Sequence, residues 1–448
     1  MDFTAFKEKI REEAAAAGIS QYELLYMTND SVSVSAFGGQ IADFTAGITG
    51  GVCFRCIVDG HMGLAYTQDL SDSSARSLVL RAADNASVIE SEETEYFSEG
   101  GGDYEDYEPA NMAQAAPEEL VNTVLSGLEA LKAADEKVTD GCSASGGATV
   151  QEMYLMNSNG VDLKYRGSMD YLFLEAVVSN GTEDNNEYEL KLGEPKDLDL
   201  NDIAKKATDK AVSMLGAGTA PTGSFPVVFS PEAFTSFLQV FSSSFSSDNA
   251  AKGLSVLKGK EGEVIAADIV TVIDDPFYPD NPARINFDAE GSPAHKKAVI
   301  SNGKLETLLY NLKTAHAAGR ETTGNAHRAG YDSPVVISPF TMYLVPGEFT
   351  EEELFEKAGN GVYITSLGGL HAGANQITGD FSLMSSGFMI TDGKKGEPVK
   401  SFTVAGNFFD MLKDVTAIGS NIKLPMPLSS TAFASPSVLV RELSVSGK

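Results

Sequence analysis

The chain has 448 residues, 42% apolar and 21% charged, a balance that suits a globular protein with more than one core. Lys and Arg number 33 against 63 Asp and Glu, so the net charge is −30. A field of that sign repels a phosphate backbone, which argues against a nucleic-acid partner, and no apolar run is long enough to cross a bilayer as a helix.

A first helix is predicted over 4–17, with Phe6, Ile10 and Ala14 on one face and Gly18 ending it. Residues 31–36 alternate polar and apolar as a strand, and Gly38-Gly39 offers a turn. Residues 51–58 read as a further strand. Cys53 and Cys56 lie on it three apart, on opposite faces, which favours packing over redox or metal chemistry. With Cys142, the cysteines are three, too few for a disulfide framework and suited to a reducing, cytoplasmic setting. The first residues lack a basic run followed by an apolar core, so no signal peptide is expected. Ser71 caps a helix carrying Ala75, Leu78, Val79, Ala82 and Ala86.

Residues 91–115 are acidic and Gly-rich without periodicity, and read as an exposed linker. A second unit starts at Pro117 with a helix face of Leu120, Val124, Leu128 and Leu131, followed by strands and a helix near 200–215. Residues 216–223, rich in Gly and Pro, are the clearest boundary. Beyond it come mostly short strands, a capping box at Thr350-Glu351-Glu352-Glu353, a helix over 405–415 and a terminal strand over 437–445. The expected fold is α+β. A β-rich N-terminal part with flanking helices (1–90) packs with 116–216 as one domain, and 224–448 form a larger strand-rich domain.

The five histidines, His61, His295, His316, His327 and His371, form no HExxH or HExxxH arrangement. A GxSxG elbow and a GxxxxGK[ST] loop are likewise missing. Residues 230–246 read as a helix with a stripe of Phe234, Phe237, Leu238, Phe241 and Phe245, ending in a cluster of serines. With no histidine near in sequence, a polar loop explains those serines better than a nucleophile does. Asp274-Asp275-Pro276 and Thr378-Gly379-Asp380 match no calcium-loop spacing, and turn-building is the simpler reading of their carboxylates.

Residues 51–85 resemble the first block of the TldD/PmbA family, with a V-D-G turn, a G-x-A step and a helix opened by D-L-S. Further blocks follow in the family's order: Asp274-Asp275-Pro276, Glu290-Gly291-Ser292-Pro293 and Ile300-Ser301-Asn302-Gly303. Then come Thr323-Gly324-Asn325-Ala326, Thr378-Gly379-Asp380-Phe381 and Ala405-Gly406-Asn407-Phe408-Phe409-Asp410-Met411-Leu412. The TldD branch carries an HExxxH helix and a C-terminal cysteine that complete a zinc site. Counted from Pro226-Val227-Val228, that window falls on Gln239 and Ser244 at the histidine positions and Val240 at the glutamate position, and no cysteine follows Cys142.

The pattern is similar to the PmbA (TldE) branch, some of whose members bear the label "modulator of DNA gyrase". The resemblance implies a non-catalytic subunit, inactive alone, with no cofactor of its own. It would pair with a zinc-bearing TldD-like subunit that cleaves unfolded or extended peptides. His371, Asn375, Thr378 and Asp380, in and beside the Gly-rich stretch 368–379, are the candidate peptide contacts. Two other readings stay open. One is an autonomous hydrolase with a metal gathered from His327, His371 and Asp380; the other is a self-associating binding or scaffold protein.

Overall fold

The computed structural model describes residues 2–90, 94–108, 114–425 and 431–447. In the N-terminal part, α1 (Phe3–Ala16) is followed by β1 (Tyr22–Phe37), β2 (Gln40–Val58), β3 (His61–Thr67) and α2 (Asp72–Ser87). After the segment 88–116 come α3 (Pro117–Ala134), β4 (Ser143–Asn157), β5 (Asp162–Ser179), β6 (Asp184–Leu192) and α4 (Leu200–Ser213). The six strands form one antiparallel sheet in the order β3-β2-β1-β4-β5-β6.

Alternation along β1 decides what each face meets. Leu24, with Phe54 and Cys56 of β2, packs under α1 and α2 against Phe6, Ile10 and Leu78. Further along the same face, Val32 and Val34 pack under α3 and α4 against Leu120 and Val124. Leu25, Cys53 and Leu155 point the other way and meet Ile285, Phe287 and Phe340 of the C-terminal part. Cys53 and Cys56 are therefore buried, free, and on opposite faces. The β1–β2 turn is the two-residue loop Gly38-Gly39 at φ +60° and +83°, the left-handed geometry that hairpins of this length require.

In the C-terminal part, β7 (Gly223–Phe229) pairs in parallel with Gly361–Gly368 and antiparallel with Val438–Ser446. The circuit continues through Asp380–Thr391 and Lys394–Asn407, and Thr403–Ala405 pair back onto Ser444–Ser446, closing a barrel of five strands. A second sheet, built on Val272–Asp275, Lys297–Ser301 and Thr341–Leu344, stands beside it. Helix α5 (Pro231–Phe241) lies in the core between them.

Two expectations are corrected. The linker reading fails for residues 94–108: Phe97 and Ser98 are buried, Lys313 pairs with Glu95 at 2.9 Å, and Tyr104 donates to the Gly291 carbonyl at 2.8 Å. Aromatic residues set among the acids give this segment something to bury; residues 91–93 and 109–113 lie outside the described set. The helix expected from residue 405 starts only at Phe408. Asp380–Asn407 pairing holds the strand until the Asn407 side chain accepts from the Phe409 and Asp410 amides and caps the helix Phe408–Lys413.

Candidate functional site

Ser230 accepts from the Ala233 amide and Pro231 takes the first helical position, so α5 starts where its capping chemistry dictates. Its aromatic stripe then fixes the docking. Phe237 meets Phe381 edge-on at 4.8 Å between ring centroids, and Phe241 stacks on Phe408 at 4.5 Å. The helix ends at Phe241 and gives way to the tighter turn Ser242–Phe245.

That end carries Gln239, Val240 and Ser244, the three positions the sequence resemblance sets against the zinc helix. Gln239 is exposed, Val240 half-buried and Ser244 buried. The Ser244 hydroxyl donates to the Gln376 carbonyl at 2.8 Å, and Ser243 donates to the Gln376 side chain at 3.0 Å. Ser255 donates to the Ser244 carbonyl at 2.6 Å, and Ser247 to Thr314 at 2.8 Å. The serine cluster is thus a set of bridges between segments. An amide, an isopropyl group and a committed hydroxyl do not fit a zinc ion. No three His, Cys, Asp or Glu side chains come together as a metal set among the described residues.

Gln376 belongs to the loop that holds the four sequence-predicted contact residues. Three of them join in one knot. Asn375 accepts from the Ile377 and Thr378 amides, Thr378 donates to Asp380 at 2.8 Å, and Asn407 donates to Asp380 at 3.0 Å. Hydrogen bonds from Asn407 and Thr378 hold the Asp380 carboxyl below the usual carboxylate range. Gly379 sits at φ +87°, and a Cβ there would press on the Phe409 ring. His371, on the exposed turn Leu370–Gly373, stands outside the knot. The loop therefore lies against the end of α5, joined by Gln376, a residue that sequence reasoning passed over because a lone exposed glutamine carries no pattern. His327 lies on the strand Ala326–His327, and the metal trio of His327, His371 and Asp380 is not assembled among the described residues.

Asn407 serves both the knot and the helix cap. Asn407→Ala is expected to lower the unfolding free energy by about 1–2 kcal/mol, the usual range for a lost cap, read from urea denaturation at fixed pH.

A second polar cluster, unforeseen from sequence, lies where the N-terminal sheet meets the C-terminal part. Glu23 of β1 and Arg55 of β2 are buried with Arg328, Asp288 and Glu290. Arg55 Nε donates to Glu23 Oε1 at 2.9 Å, and Arg328 Nη2 lies 3.6 Å from the same oxygen. Asp288 accepts from the Glu290, Ser292 and Ala326 amides, each at 2.9 Å; Glu290 accepts from the Leu312 amide at 2.9 Å. A neighbouring carboxylate, Asp274, accepts from the Phe340 amide at 2.7 Å, from Asn325 at 2.8 Å and from Lys297 at 3.1 Å. The acidic blocks around residues 274 and 290 are thus pins for backbone and neighbouring strands. A cavity of about 60 Å³ adjoins them, walled by Met27, Met153, Tyr165, Phe287 and Phe340.

Fold and site together define a class: a two-part α+β protein whose barrel-docked helix faces a Gly-rich loop without offering a metal-ligand set. The chain belongs to the PmbA/TldA metallopeptidase family. Domain 1 of that family matches residues 22–86, the central domain 110–215 and the C-terminal domain 222–447. An uncharacterized protein of Methanocaldococcus jannaschii is 30% identical over 88% of this chain and 90% of its own length. A metalloprotease of Methanothermobacter thermautotrophicus is 34% identical over 60% of each chain. Among solved structures, one from Thermotoga maritima, described as a candidate modulator of a DNA gyrase, aligns with TM-score 0.90 at 30% identity, over 99% of this chain and 100% of that one. TldE of Thermococcus kodakarensis shares the fold at TM-score 0.89 and 22% identity, with 99% and 100% coverage.

Proposed function

We propose that this chain is the non-catalytic, TldE-type subunit of a zinc peptidase, working in the cytoplasm with a TldD-like partner that carries the metal. The observation that carries the reading is the end of α5. The family's helix is kept and docked by its aromatic stripe, while Gln239, Val240 and Ser244 supply no ligand or general base. The partner would hold zinc; this chain would shape the peptide's path along the loop His371–Asp380 and keep the assembly together. An extended peptide suits such a path, because exposed backbone on a Gly-rich loop recognises main chain rather than side chains.

The test is metal content and peptide cleavage, measured for this chain alone and mixed with a TldD-like subunit from the same source. The expected result is a metal-free, inactive chain that enables or raises the partner's cleavage. Alanine at His371, Asn375, Thr378 and Asp380 together is expected to cut cleavage by the pair without dissociating it. Stoichiometric metal with chelator-sensitive cleavage by this chain alone would overturn the reading.

A further inference from the structure

We propose that the cavity between the N-terminal sheet and the C-terminal part binds a small aliphatic monocarboxylate, the size of acetate or propionate. Its carboxylate would sit on the Arg328 guanidinium and its alkyl group on the apolar wall.

Both parts of the chain build the site. Leu25 of β1 and Met153 of β4 come from the sheet, Phe287 and Phe340 from the C-terminal part, and all four are buried. Met27, Gln151, Ala283 and His327 line the same cavity but are only half-buried, so a ligand can enter on their side. The volume is about 60 Å³. A water takes about 10–15 Å³ of such space, so about four to six heavy atoms fit, which is the size of acetate or propionate.

The cation on this wall is Arg328, only 6% exposed. Its Nε and Nη1 have no hydrogen-bond partner among the described residues, while Nη2 lies 3.6 Å from Glu23 Oε1. Glu23 is engaged more closely by Arg55, at 2.9 Å. A buried guanidinium with open N–H groups is costly, and an anionic oxygen satisfies it best. Asp288 also lines the cavity, but both of its oxygens already accept backbone amides, Oδ1 from Glu290 and Ser292 and Oδ2 from Ala326. A carboxylate beside the site disfavours a doubly charged ligand such as phosphate. Most of the remaining wall is methyl, thioether and aromatic surface, which suits an alkyl body. The net charge of −30 repels anions from the molecule as a whole, so an anion held here reports this arginine and not a diffuse field.

Saturation-transfer NMR on the full chain, with propionate as the probe, tests the site. Propionate is expected to bind and to be displaced by acetate. Propionamide, of the same shape but uncharged, is expected to bind at least about tenfold more weakly, because it forgoes the charge-assisted hydrogen bonds. Chloride and inorganic phosphate at equal concentration are expected to leave propionate in place. Arg328→Met is expected to abolish binding, and Met153→Trp, which fills the cavity and keeps the arginine, is expected to do the same. N-acetyl-trialanine carries the same carboxylate on a longer chain and is expected not to compete; competition would overturn the small-acid assignment in favour of a peptide terminus. No transfer to propionate would mean that water alone fills the cavity, and would overturn the proposal. Equal binding of propionamide, displacement by phosphate, or binding retained in Arg328→Met would overturn it as well. Should Arg328→Met fail to fold, the comparison of propionate with propionamide in the natural chain decides.

Discussion

Arg55→Met is expected to lower the unfolding free energy by about 3–5 kcal/mol, the usual consequence of stripping one partner from a buried ion pair. Methionine fills much of the same volume, so the loss comes mainly from charge. Glu23 is fully buried, and Arg55 approaches its Oε1 through Nε at 2.9 Å and Nη2 at 2.8 Å. Without Arg55 the cation left beside Glu23 among the described residues is Arg328, 3.6 Å away. Burial already draws the Arg328 guanidinium below its ordinary value, and its Nε and Nη1 have no hydrogen-bond partner among the described residues, so it is a poor substitute. Urea unfolding with linear extrapolation reads the effect. Adding Glu23→Gln to Arg55→Met is expected to restore a large part of it, because the orphaned charge is then gone. A loss under about 1 kcal/mol for Arg55→Met would mean that water or relaxation already screens the pair. Since Glu23 and Arg55 come from the N-terminal sheet and Arg328 and Glu290 from the C-terminal part, the same substitution tests how firmly the two parts are coupled.

Local order was readable wherever one physical rule acted alone. The stripe of Phe234, Phe237 and Phe241 at helical spacing, opened by Ser230-Pro231, identified α5 and its buried face before any partner was known. Gly38-Gly39 placed the hairpin turn for the same reason. The ionic cluster was illegible because strand alternation says which residues share a face but not whether both faces are buried. Glu23, set beside Leu24 and Leu25, would ordinarily mark a solvated side; here the C-terminal part covers that side. The segment 94–108 misled because composition outweighed its few aromatics, although Phe97 and Tyr104 are what attach it. At the candidate site, the turn built by Thr378 and Asp380 was legible because turn chemistry is local, while the part Asn375 plays in it was not read from the sequence. Their junction to α5 through Gln376 was not, since it depends on a contact between residues more than a hundred positions apart.

Stability is expected to fall as pH rises from the ordinary carboxylate range through neutrality, and Glu290→Gln is expected to remove the share of that slope set by Glu290, while Asp170 and Glu187, also raised by burial, keep theirs. Burial pushes the Glu290 carboxyl well up, with the nearby Asp288 charge adding to the rise; burial raises Asp288 as well. The native state therefore holds a proton in this pair that the unfolded chain has released. A carboxyl raised in this way contributes fully below the unfolded pKa, near about 4, and its contribution is lost as pH climbs through the folded value. Each unit of displacement corresponds to about 1.4 kcal/mol. The Asp288 and Glu23 charges raise the Glu290 carboxyl further, while the Arg55 charge and the hydrogen bond from the Leu312 amide lower it. Groups shifted the other way do not mimic the effect. Glu261 lies below its ordinary value, so its contribution is complete once the usual carboxylate range is passed. His327, lowered by burial, gives a slope of the opposite sign, with stability rising as pH increases through the unfolded histidine value near about 6.5. Unfolding free energies of the natural chain and of Glu290→Gln, compared from about pH 5 to about pH 8, isolate the pair, because all other groups cancel in the difference. Curves that nearly meet toward about pH 5 and part progressively as pH rises toward about 8 place the proton on Glu290; parallel curves would place it elsewhere in the cluster, with Asp288 the next to substitute.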